Sequence, residues 1–588
     1  MACFAQVENE NQDTLFLKKQ KGLLGKLWKS VSRTPSEETE KLSNPFLPFA
    51  NKIIRSVEVF PLGFNRNLDD TVLKRNSKWV ILANRFHSDT RVKVIRKNLF
   101  FKAGDKFLPL LVSDNEVFLR NLPFLRDARI QVEPVEGTAD TIDVIVFTRD
   151  VFSIGGRFSI NTKRARAELR EENFLGTGNE ISSSGLLDKN RSPNAGVGAG
   201  FKFYNVGGSF LNWYGQYENF NAALQSGSLQ ENLYTTNLEK PFINRYTQWT
   251  AGLDLSLHLT QNAYFTDSLY SSDYQYRYHT VDLWAGYNFG YKQKKGRDSE
   301  KRLRHFVSGR IFYYRFSEIP RKYDTSFYYL FTNRNGALFS YTLYRQNYYR
   351  TNYLYTFGRN EDVPVGISAG IVAGWANVEN RRTPYYGLEL ELARFSKRLY
   401  YSNIKFRLGG FHRGGRMEDV NLLFSLDHFT RLNDWGRSWM NRNFLNFSYT
   451  RQFNYRYNDP LFLRSEFGLP YFPNIQYPAD ERATLRIESD FYNRRLLLGF
   501  RFAPFIFGDV SFLRQLGHDT TSFKGYPAVG AGIRTRNENL VFETIELRGF
   551  YFPVILQNMK HWKVNLSTRV RFEVIADLIK KPDFISVN

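Results

Sequence analysis

The sequence predicts a mainly β fold: a transmembrane antiparallel β-barrel of roughly 16 strands that follows one small α+β domain. Three observations support this prediction. Phe, Tyr and Trp make up 16% of the 588 residues, and transmembrane barrels use such residues to mark the membrane interfaces. Apolar and polar residues alternate from about residue 152 onwards. No run of about 18 apolar residues occurs, so the sequence predicts no membrane-spanning helix.

Composition excludes several other classes of protein. The single Cys excludes a disulfide framework, and four Met and eight scattered His leave little material for a metal site. The formal net charge of +23 suits nucleic acid, lipid phosphates or the lining of a cationic lumen. Because the basic residues are spread along the chain and form no aromatic-studded patch, we predict no nucleic-acid partner. We also predict no metal and no cofactor.

Residues 1–50 are predicted to be a signal remnant followed by a basic amphipathic segment. Cys3 to Gln6 resembles the end of a secretory signal cut after Ala5, without the charged and apolar regions that normally come first. We therefore expect the signal peptide to lie upstream or to be truncated, with a cytoplasmic N-terminus as the alternative. Leu15 to Val31 alternates leucines with lysines, which predicts a short helix on a surface, in a lumen or in a solvated linker.

Residues 51–150 predict a compact α+β domain. Its predicted elements follow the order β-α-α-β-β: Ile54 to Phe60, Thr90 to Leu99, Val112 to Leu122, Ala128 to Pro134 and Thr141 to Thr148. Helical apolar spacing predicts the two helices, and alternation of apolar and polar residues predicts the last two strands. The stretch from Phe64 to Ser88 is longer than an ordinary connection, so we predict an insertion there.

Residues 151–577 are predicted to form the barrel, and 578–588 a C-terminal tail. Apolar and cationic residues alternate strictly in Ile404 to Leu408. Alternation alone also fits a half-buried sheet in a soluble sandwich. Lys and Arg at successive inward positions favour the barrel, because a wet lumen tolerates these charges and a dry core does not. Roughly 16 strands would leave about 27 residues for each strand with its loop.

The last predicted strand has the most regular alternation in the chain. Lys, Asn, Ser, Arg and Glu occupy one face of the stretch from 562 to 574. The opposite face carries mainly apolar side chains: Trp562, Val564, Leu566, Val570, Phe572 and Val574. This arrangement is typical of a strand with one face towards lipid and the other towards a polar lumen.

A glycine-rich hairpin motif occurs at the start of the predicted barrel: Asn173-Phe174-Leu175-Gly176-Thr177-Gly178. It resembles the Asn-aromatic-Leu-Gly-Thr-Gly turn that follows the first barrel strand in the BamA/TamA-like outer-membrane assembly family. The β-α-α-β-β order of the N-terminal domain, with Val94-Ile95-Arg96 and Gly104-Asp105, is similar to the POTRA domain of that family. Gly358 to Pro364 and Gly532 to Phe542 resemble tracts of Bacteroidetes-type members.

The sequence departs from this family at one functional position. Family members insert an Arg-Gly-Phe or Arg-Gly-Tyr tripeptide into the lumen, where acidic residues of the inner wall hold its Arg. At the corresponding position this chain has a degenerate motif: Gly468, Leu469, Pro470 and Tyr471. Leu547 to Phe550 contains the Arg-Gly-Phe letters one strand from the end, and we interpret it as part of a strand. The single POTRA-like module indicates a reduced or accessory member.

The resemblance implies a protein of the bacterial outer membrane, with its N-terminal domain in the periplasm, that assists insertion, export or scaffolding of outer-membrane or surface proteins. Client strands would pair with the edge of the POTRA sheet and then with an openable seam. The strand near Phe158 and the strand from Trp562 to Val574 would form that seam. The implied partners are outer-membrane lipid and lipopolysaccharide, unfolded or nascent outer-membrane proteins, and accessory subunits.

Two other functions remain open at this stage. The chain could be an anion-selective pore lined by Arg and Lys, or a structural subunit of a larger outer-membrane complex. We do not expect an enzyme, because the chain contains no HExxH motif and no phosphate loop with intact ligands. Pairing of strands needs backbone groups and not particular side chains, so no catalytic residue is predicted.

Overall fold

The computed structural model describes residues 44–63, 88–160, 163–292, 302–354, 357, 361–378, 381–436, 438–455, 460–472, 478–495, 500–515, 523–537, 544–556, 559–567 and 579–587. The chain forms two compact units, the first made of residues 1–153 and 175–177 and the second of 154–174 and 178–588. Several predicted features lie outside the described residues: the helix Leu15 to Val31, residues 64–87 of the insertion, 358–360 and 538–542 of the family tracts, and Val570, Phe572 and Val574.

In its described residues, the first unit contains a three-stranded sheet and two α-helices in the predicted order β-α-α-β-β. Its elements are β1 (Ile53–Pro61), α1 (Val92–Lys97), α2 (Pro109–Arg120), β2 (Leu125–Pro134) and β3 (Thr141–Asp150). The central strand β3 runs parallel to β1 and antiparallel to β2. Ile95, Leu119 and Val144 are buried together in the core of this unit. Helix α2 begins earlier than predicted, because Pro109 suits the first helical turn, where its missing N–H has no partner to lose.

The second unit is an antiparallel sheet closed into a barrel. Its strands are β4 (Ile154–Ile160), β5 (Arg164–Glu171), β6 (Glu180–Asp188), β7 (Ala195–Phe203), β8 (Asn212–Ala222), β9 (Leu229–Lys240), β10 (Trp249–Thr260), β11 (Arg277–Asn288), β12 (Arg304–Glu318), β13 (Arg334–Thr351), β14 (Glu361–Val378), β15 (Arg381–Phe395), β16 (Tyr401–Arg413), β17 (Arg416–Phe429), β18 (Asn433–Trp435), β19 (Trp439–Phe453), β20 (Ala479–Asn493), β21 (Phe500–Gln515), β22 (Phe523–Asn537), β23 (Ile545–Tyr551) and β24 (Trp562–Ser567). A further helix, α3 (Asp267–Asp273), lies between β10 and β11. No helix in the described part of the chain is both long enough and apolar enough to cross a membrane.

The predicted number of strands, roughly 16, is wrong. In the described residues β17 pairs directly with β19, so β18 is an addition to the wall and the barrel has 20 strands. The prediction assumed about 27 residues for each strand with its loop, and several connections are much shorter. Between β16 and β17 only Gly414 and Gly415 intervene, and their φ values of 54° and 81° are the left-handed values that two-residue hairpins need.

The barrel wall has a polar inner face and an apolar outer face. On β12, Ser308 and Arg310 are buried inside the barrel, whereas Ile311, the residue that follows Arg310 and points to the opposite face, is 62% exposed. Other large apolar side chains at outward positions are likewise exposed, among them Leu169, Leu187, Ile371 and Ile506. A water-soluble barrel buries its apolar face, so this inverted distribution suits a barrel whose outer surface contacts lipid.

The interior of the barrel is filled along much of the wall from β12 to β23. One buried hydrophobic cluster joins Phe312 and Tyr385 of the wall to Leu469, in the connection between β19 and β20, and to Ile585, beyond β24. Two segments outside the strands therefore pack inside the barrel. They bring the candidate functional residues together.

Candidate functional site in the barrel interior

Five charged side chains form a buried cluster on the inner wall beside the last strand. Glu488 and Asp490 belong to β20, Arg534 to β22, and Glu546 and Arg548 to β23. Residues two apart on a strand point to the same face of a sheet, so each pair enters the interior together. All five have relative exposures of 4% or less. We call these five residues the acid–arginine cluster.

Arg534 contacts all three carboxylates of the acid–arginine cluster. Its Nη2 donates to Glu488 Oε1 at 2.6 Å, and its Nη1 donates to Asp490 Oδ2 at 2.5 Å. Its Nε donates to Glu546 Oε2 at 2.8 Å. Because the donors of a guanidinium have a fixed planar arrangement, these contacts constrain β20, β22 and β23 relative to one another.

Arg548 completes the cluster from β23. It donates from Nη2 to Glu488 Oε2 at 2.8 Å and from Nε to Glu546 Oε1 at 2.7 Å. Its guanidinium carbon also lies 4.4 Å from the ring centre of Phe505 and 4.6 Å from that of Phe507, both on β21. Desolvated cation–π contacts of this kind contribute about 2 kcal/mol. The cluster thus fastens four consecutive strands, β20 to β23.

Sequence reasoning placed Leu547 to Phe550 in a strand, and β23 contains it. It missed that Arg548 reaches acidic residues of the inner wall. The family expectation was an Arg supplied by a loop, whereas here Arg534 and Arg548 come from the wall itself. The available signal was a charge at every second residue, in Glu488-x-Asp490 and Glu546-x-Arg548.

The connection that carries the degenerate loop motif packs into the interior. Leu461 exchanges two backbone hydrogen bonds with Ala479, at 2.8 and 2.9 Å, and the Leu469 N–H donates to the Leu463 carbonyl at 2.7 Å. The three leucines are at most 2% exposed. A Cβ at Gly468 would lie 2.3 Å from the Leu463 carbonyl oxygen, so this position requires glycine. We call residues 460–472 the luminal loop.

Tyr471 joins the luminal loop to the last strands of the barrel. Its hydroxyl donates to Asp509 Oδ2 at 2.8 Å, and its ring stacks on Phe550 with 4.7 Å between ring centres. Its carbonyl oxygen accepts a hydrogen bond from Lys563 Nζ of β24 at 2.8 Å. Pro470, the preceding residue, is exposed. The degenerate motif, which lacks the family's Arg, therefore contacts β24, the strand at which the barrel closes.

The barrel closes between β24 and β4, where Ser567 lies opposite Ser159. Within the described residues β24 pairs with β23 over six residue pairs, and β4 with β5 over seven. Trp562 and Val564 of β24 are 71% and 74% exposed, and Leu566 is partly exposed. We call the junction of β24 with β4 the seam.

The glycine-rich hairpin motif connects β5 to β6, so it follows the second barrel strand. The Asn173 side chain closes the turn by accepting from the Gly178 N–H at 2.8 Å. Gly176 and Gly178 have φ values of 70° and 73°, which glycine adopts without a steric cost. Leu175 also has a positive φ, of 54°. Leu175 to Thr177 belong to the first unit. The motif is thus a structural turn whose glycines are explained by its backbone.

Two features of the wall have the residue types of a hydrolase. On β10, Ser256 Oγ lies 2.8 Å from His258 Nε2, and His258 Nδ1 lies 2.8 Å from Glu231 Oε1. The backbone around Ser256 is engaged in ladders with both β9 and β11, whereas an oxyanion needs free N–H donors. Gly366 to Gly370 matches the GxSxG pattern, which sequence reasoning overlooked, but it lies inside β14 and not at a strand-to-helix turn. Neither feature therefore has the surroundings of a nucleophile site.

Polar side chains of the first unit form hydrogen bonds at two places on its sheet. Glu116 Oε2 on α2 accepts from the Ile130 N–H at 2.9 Å, and Arg120 donates to the Ala128 carbonyl at 3.2 Å. These side chains cap backbone groups on the outer edge of β2, as natural proteins do to protect sheet edges. On β1 and β3, a hydrogen bond from the Arg55 guanidinium lowers the pKa of the Asp143 carboxyl. Among the described residues, no group of three or more His, Cys, Asp or Glu is arranged to hold a metal ion.

Comparisons with known proteins find similarity at the level of solved structures. No protein-family model matches the chain, and no curated protein matches it. Similar structures include CdiB from Escherichia coli, with 11% identity over 92% of this chain and 94% of that chain and a TM-score of 0.42. CdiB from Acinetobacter baumannii has 10% identity over 96% and 99%, with a TM-score of 0.37. BamA from Haemophilus ducreyi lacking POTRA domains 1–3 has 8% identity over 87% and 84%, with a TM-score of 0.27.

Proposed function

We propose that this protein is a BamA/TamA-like barrel of the bacterial outer membrane that assists insertion, export or scaffolding of outer-membrane or surface proteins. The observation that carries the proposal is the seam, where a first and a last strand meet beside a luminal loop that contacts the last strand. An antiparallel boundary of this kind offers backbone N–H and C=O groups to an incoming strand when it opens.

The apolar outer face of the barrel supports the membrane location. Exposed side chains such as Leu169, Ile311 and Ile506 would contact acyl chains of outer-membrane lipid and lipopolysaccharide. The first unit, by the family resemblance, would lie in the periplasm as a POTRA-like module that meets unfolded or nascent outer-membrane proteins. Since Glu116 and Arg120 cap backbone groups of β2, we assign strand pairing with clients chiefly to the seam.

The acid–arginine cluster has a role in this mechanism. It fixes β20 to β23, so the wall beside the seam stays in register while β24 separates from β4. Lys563 of β24 remains tied to the luminal loop through the Tyr471 carbonyl. Opening is then confined to one boundary, and no side chain is required to act as a catalyst.

Depletion of the protein followed by quantitative outer-membrane proteomics tests this proposal. We expect the amounts of other barrel or surface proteins to fall and to recover when the wild-type chain is supplied again. Unchanged amounts of every other outer-membrane protein would contradict the assembly role. A steady anion-selective current in planar bilayers would then favour the pore, and stoichiometric co-purifying proteins would favour the structural subunit.

A further inference from the structure

Residues 579–587, which follow the barrel in sequence, lie inside it, and we call them the luminal segment. The wall recognises their backbone at several points. Tyr385 accepts the Ile585 N–H at its hydroxyl oxygen at 2.7 Å, and Asn421 donates to the Ile585 carbonyl at 3.0 Å. Arg482 donates to the Val587 carbonyl at 2.5 Å. Side chains of three different strands therefore hold the luminal segment in an extended course.

The charged side chains of the luminal segment also have matched partners. Lys581 Nζ donates to Asp282 Oδ2 at 2.9 Å, and Arg310 Nη1 donates to Asp583 Oδ1 at 2.5 Å. Arg310 in turn binds Asp282 through two hydrogen bonds of 2.7 and 2.8 Å. Lys580 forms an ion pair of 2.7 Å with a glutamate of β15. Two basic residues followed by an acidic one thus meet a wall of complementary charge.

An aromatic pocket receives the centre of the luminal segment. The Phe584 ring lies 4.8 Å from that of Tyr385, 5.4 Å from that of Phe312 and 5.5 Å from that of Phe411. Ile585 is 2% exposed. A cavity of about 290 Å³ borders the pocket, so larger side chains than those of the luminal segment have room there. Backbone recognition, charge matching and an aromatic pocket together are the features of a peptide-binding site.

We propose that this inner wall is a binding site for extended peptide, selective for basic residues followed by an acidic–aromatic pair, and that the luminal segment occupies it until a client segment of that chemistry displaces it. The inference rests on the proposed function for the identity of the client. It adds the chemical class of the bound segment and the place where it binds.

The site is also connected to the seam. Arg482, which holds the Val587 carbonyl, donates to the Phe462 carbonyl of the luminal loop at 2.5 Å. The luminal loop in turn holds Lys563 of β24 through Tyr471. A client that displaces the luminal segment therefore meets Arg482, the residue that also supports the luminal loop beside the seam.

Binding of a free peptide to the purified barrel tests the site. The probe is a fluorescent peptide with the sequence of residues 579–587, and the receptor is the chain truncated after residue 578, in detergent. We expect the peptide to bind the truncated chain at least tenfold more tightly than the full chain, because an intramolecular occupant competes at high effective concentration. Fluorescence anisotropy measures both affinities. Equal binding of a scrambled peptide, or no binding to the truncated chain, would overturn the site.

Point variants keep the test valid if truncation prevents folding. In the full chain, F584A with D583N weakens the luminal segment, and we expect this double variant to bind the free peptide more tightly than the wild type. In the truncated chain and in the double variant, adding R310Q should weaken binding of the free peptide about tenfold, the usual effect of losing a hydrogen bond to a charged group. The matched control is E218Q, a buried glutamate paired with Arg166, which should leave peptide binding unchanged. An R310Q effect no larger than that of E218Q would contradict the proposal.

Peptide binding in detergent does not require an opening seam or a living cell. Failure of the proposed function therefore leaves peptide binding intact, and failure of the peptide site leaves the depletion result intact, so the two failures can be distinguished.

Discussion

Replacing Arg534 with Met removes the guanidinium that binds all three carboxylates of the acid–arginine cluster. Three carboxylates then face only Arg548, so the formal charge of the cluster changes from −1 to −2. Removing one partner of a buried ion pair costs about 3–5 kcal/mol, because the remaining charge stays buried without compensation. Since Arg534 serves three partners, we expect R534M to lower the free energy of unfolding by about 5 kcal/mol.

The assay is urea unfolding of the purified protein in lipid vesicles, followed by tryptophan fluorescence. The matched control is R494M, because Arg494 and its partner Asp434 have side chains that are 44% and 66% exposed. Exposed ion pairs contribute about 0–1 kcal/mol, so this variant should unfold nearly as the wild type does.

A compensated variant separates charge from packing. Adding E488Q and D490N to R534M leaves Arg548 with Glu546, a balanced pair. We expect this triple variant to regain more than half of the lost stability, as replaced buried ion pairs often do. If R534M differs from R494M by less than about 1 kcal/mol, the cluster does not hold the wall as argued.

Three further predictions concern other parts of the chain. The pKa of Asp143 is lowered in the folded protein, so its pairing with Arg55 stabilises the first unit at pH values above the ordinary Asp pKa of about 3.9. This stabilisation is lost as the pH falls through the pKa of the folded state. The difference between wild type and D143N in hydrogen exchange of the β1 and β3 amides should therefore be largest near neutral pH and become small below about pH 3.9. G178V forces a branched side chain into a φ of 73°, and it should destabilise the chain by more than about 1 kcal/mol in urea unfolding. L469A empties a fully buried site in the luminal loop and should cost about 2–5 kcal/mol; a loss below about 1 kcal/mol would show that the luminal loop is not packed in the interior.

The barrel could be predicted because its signal is local. Alternation of apolar and polar residues in single strands indicates a sheet with two unlike faces, and Ile404 to Leu408 is an example that lies within β16. The number of strands could not be predicted in the same way. Two-residue connections such as Gly414-Gly415 hardly interrupt the alternation, so adjacent strands are easily counted as one.

The acid–arginine cluster could not be predicted because it depends on the register between strands. Glu488 and Arg548 are 60 residues apart in sequence, and only the pairing of β20 through β23 brings them together. Phe505 and Phe507 are exceptions to the rule that apolar side chains of the wall face lipid, because they face inward and lie under the two guanidiniums. An apolar residue on a strand therefore does not by itself identify the lipid-facing side.

The luminal segment shows the same limit more strongly. Its sequence has no period that distinguishes an exposed tail from a segment inside a barrel, and its partners Asp282 and Arg310 lie more than 270 residues away. Charge complementarity to distant positions becomes visible only when the wall is closed.

Locking the seam tests the central claim most directly. Ser159 and Ser567, which lie opposite each other, are replaced by Cys in a C3S background and joined by oxidation. The control is S308C with S340C, a pair that lies across β12 and β13 away from the seam. We predict that the oxidised seam variant fails to maintain the amounts of other outer-membrane proteins in depleted cells and recovers on reduction, whereas the control works in both states. An oxidised, fully cross-linked seam variant that works as well as the control would contradict the account.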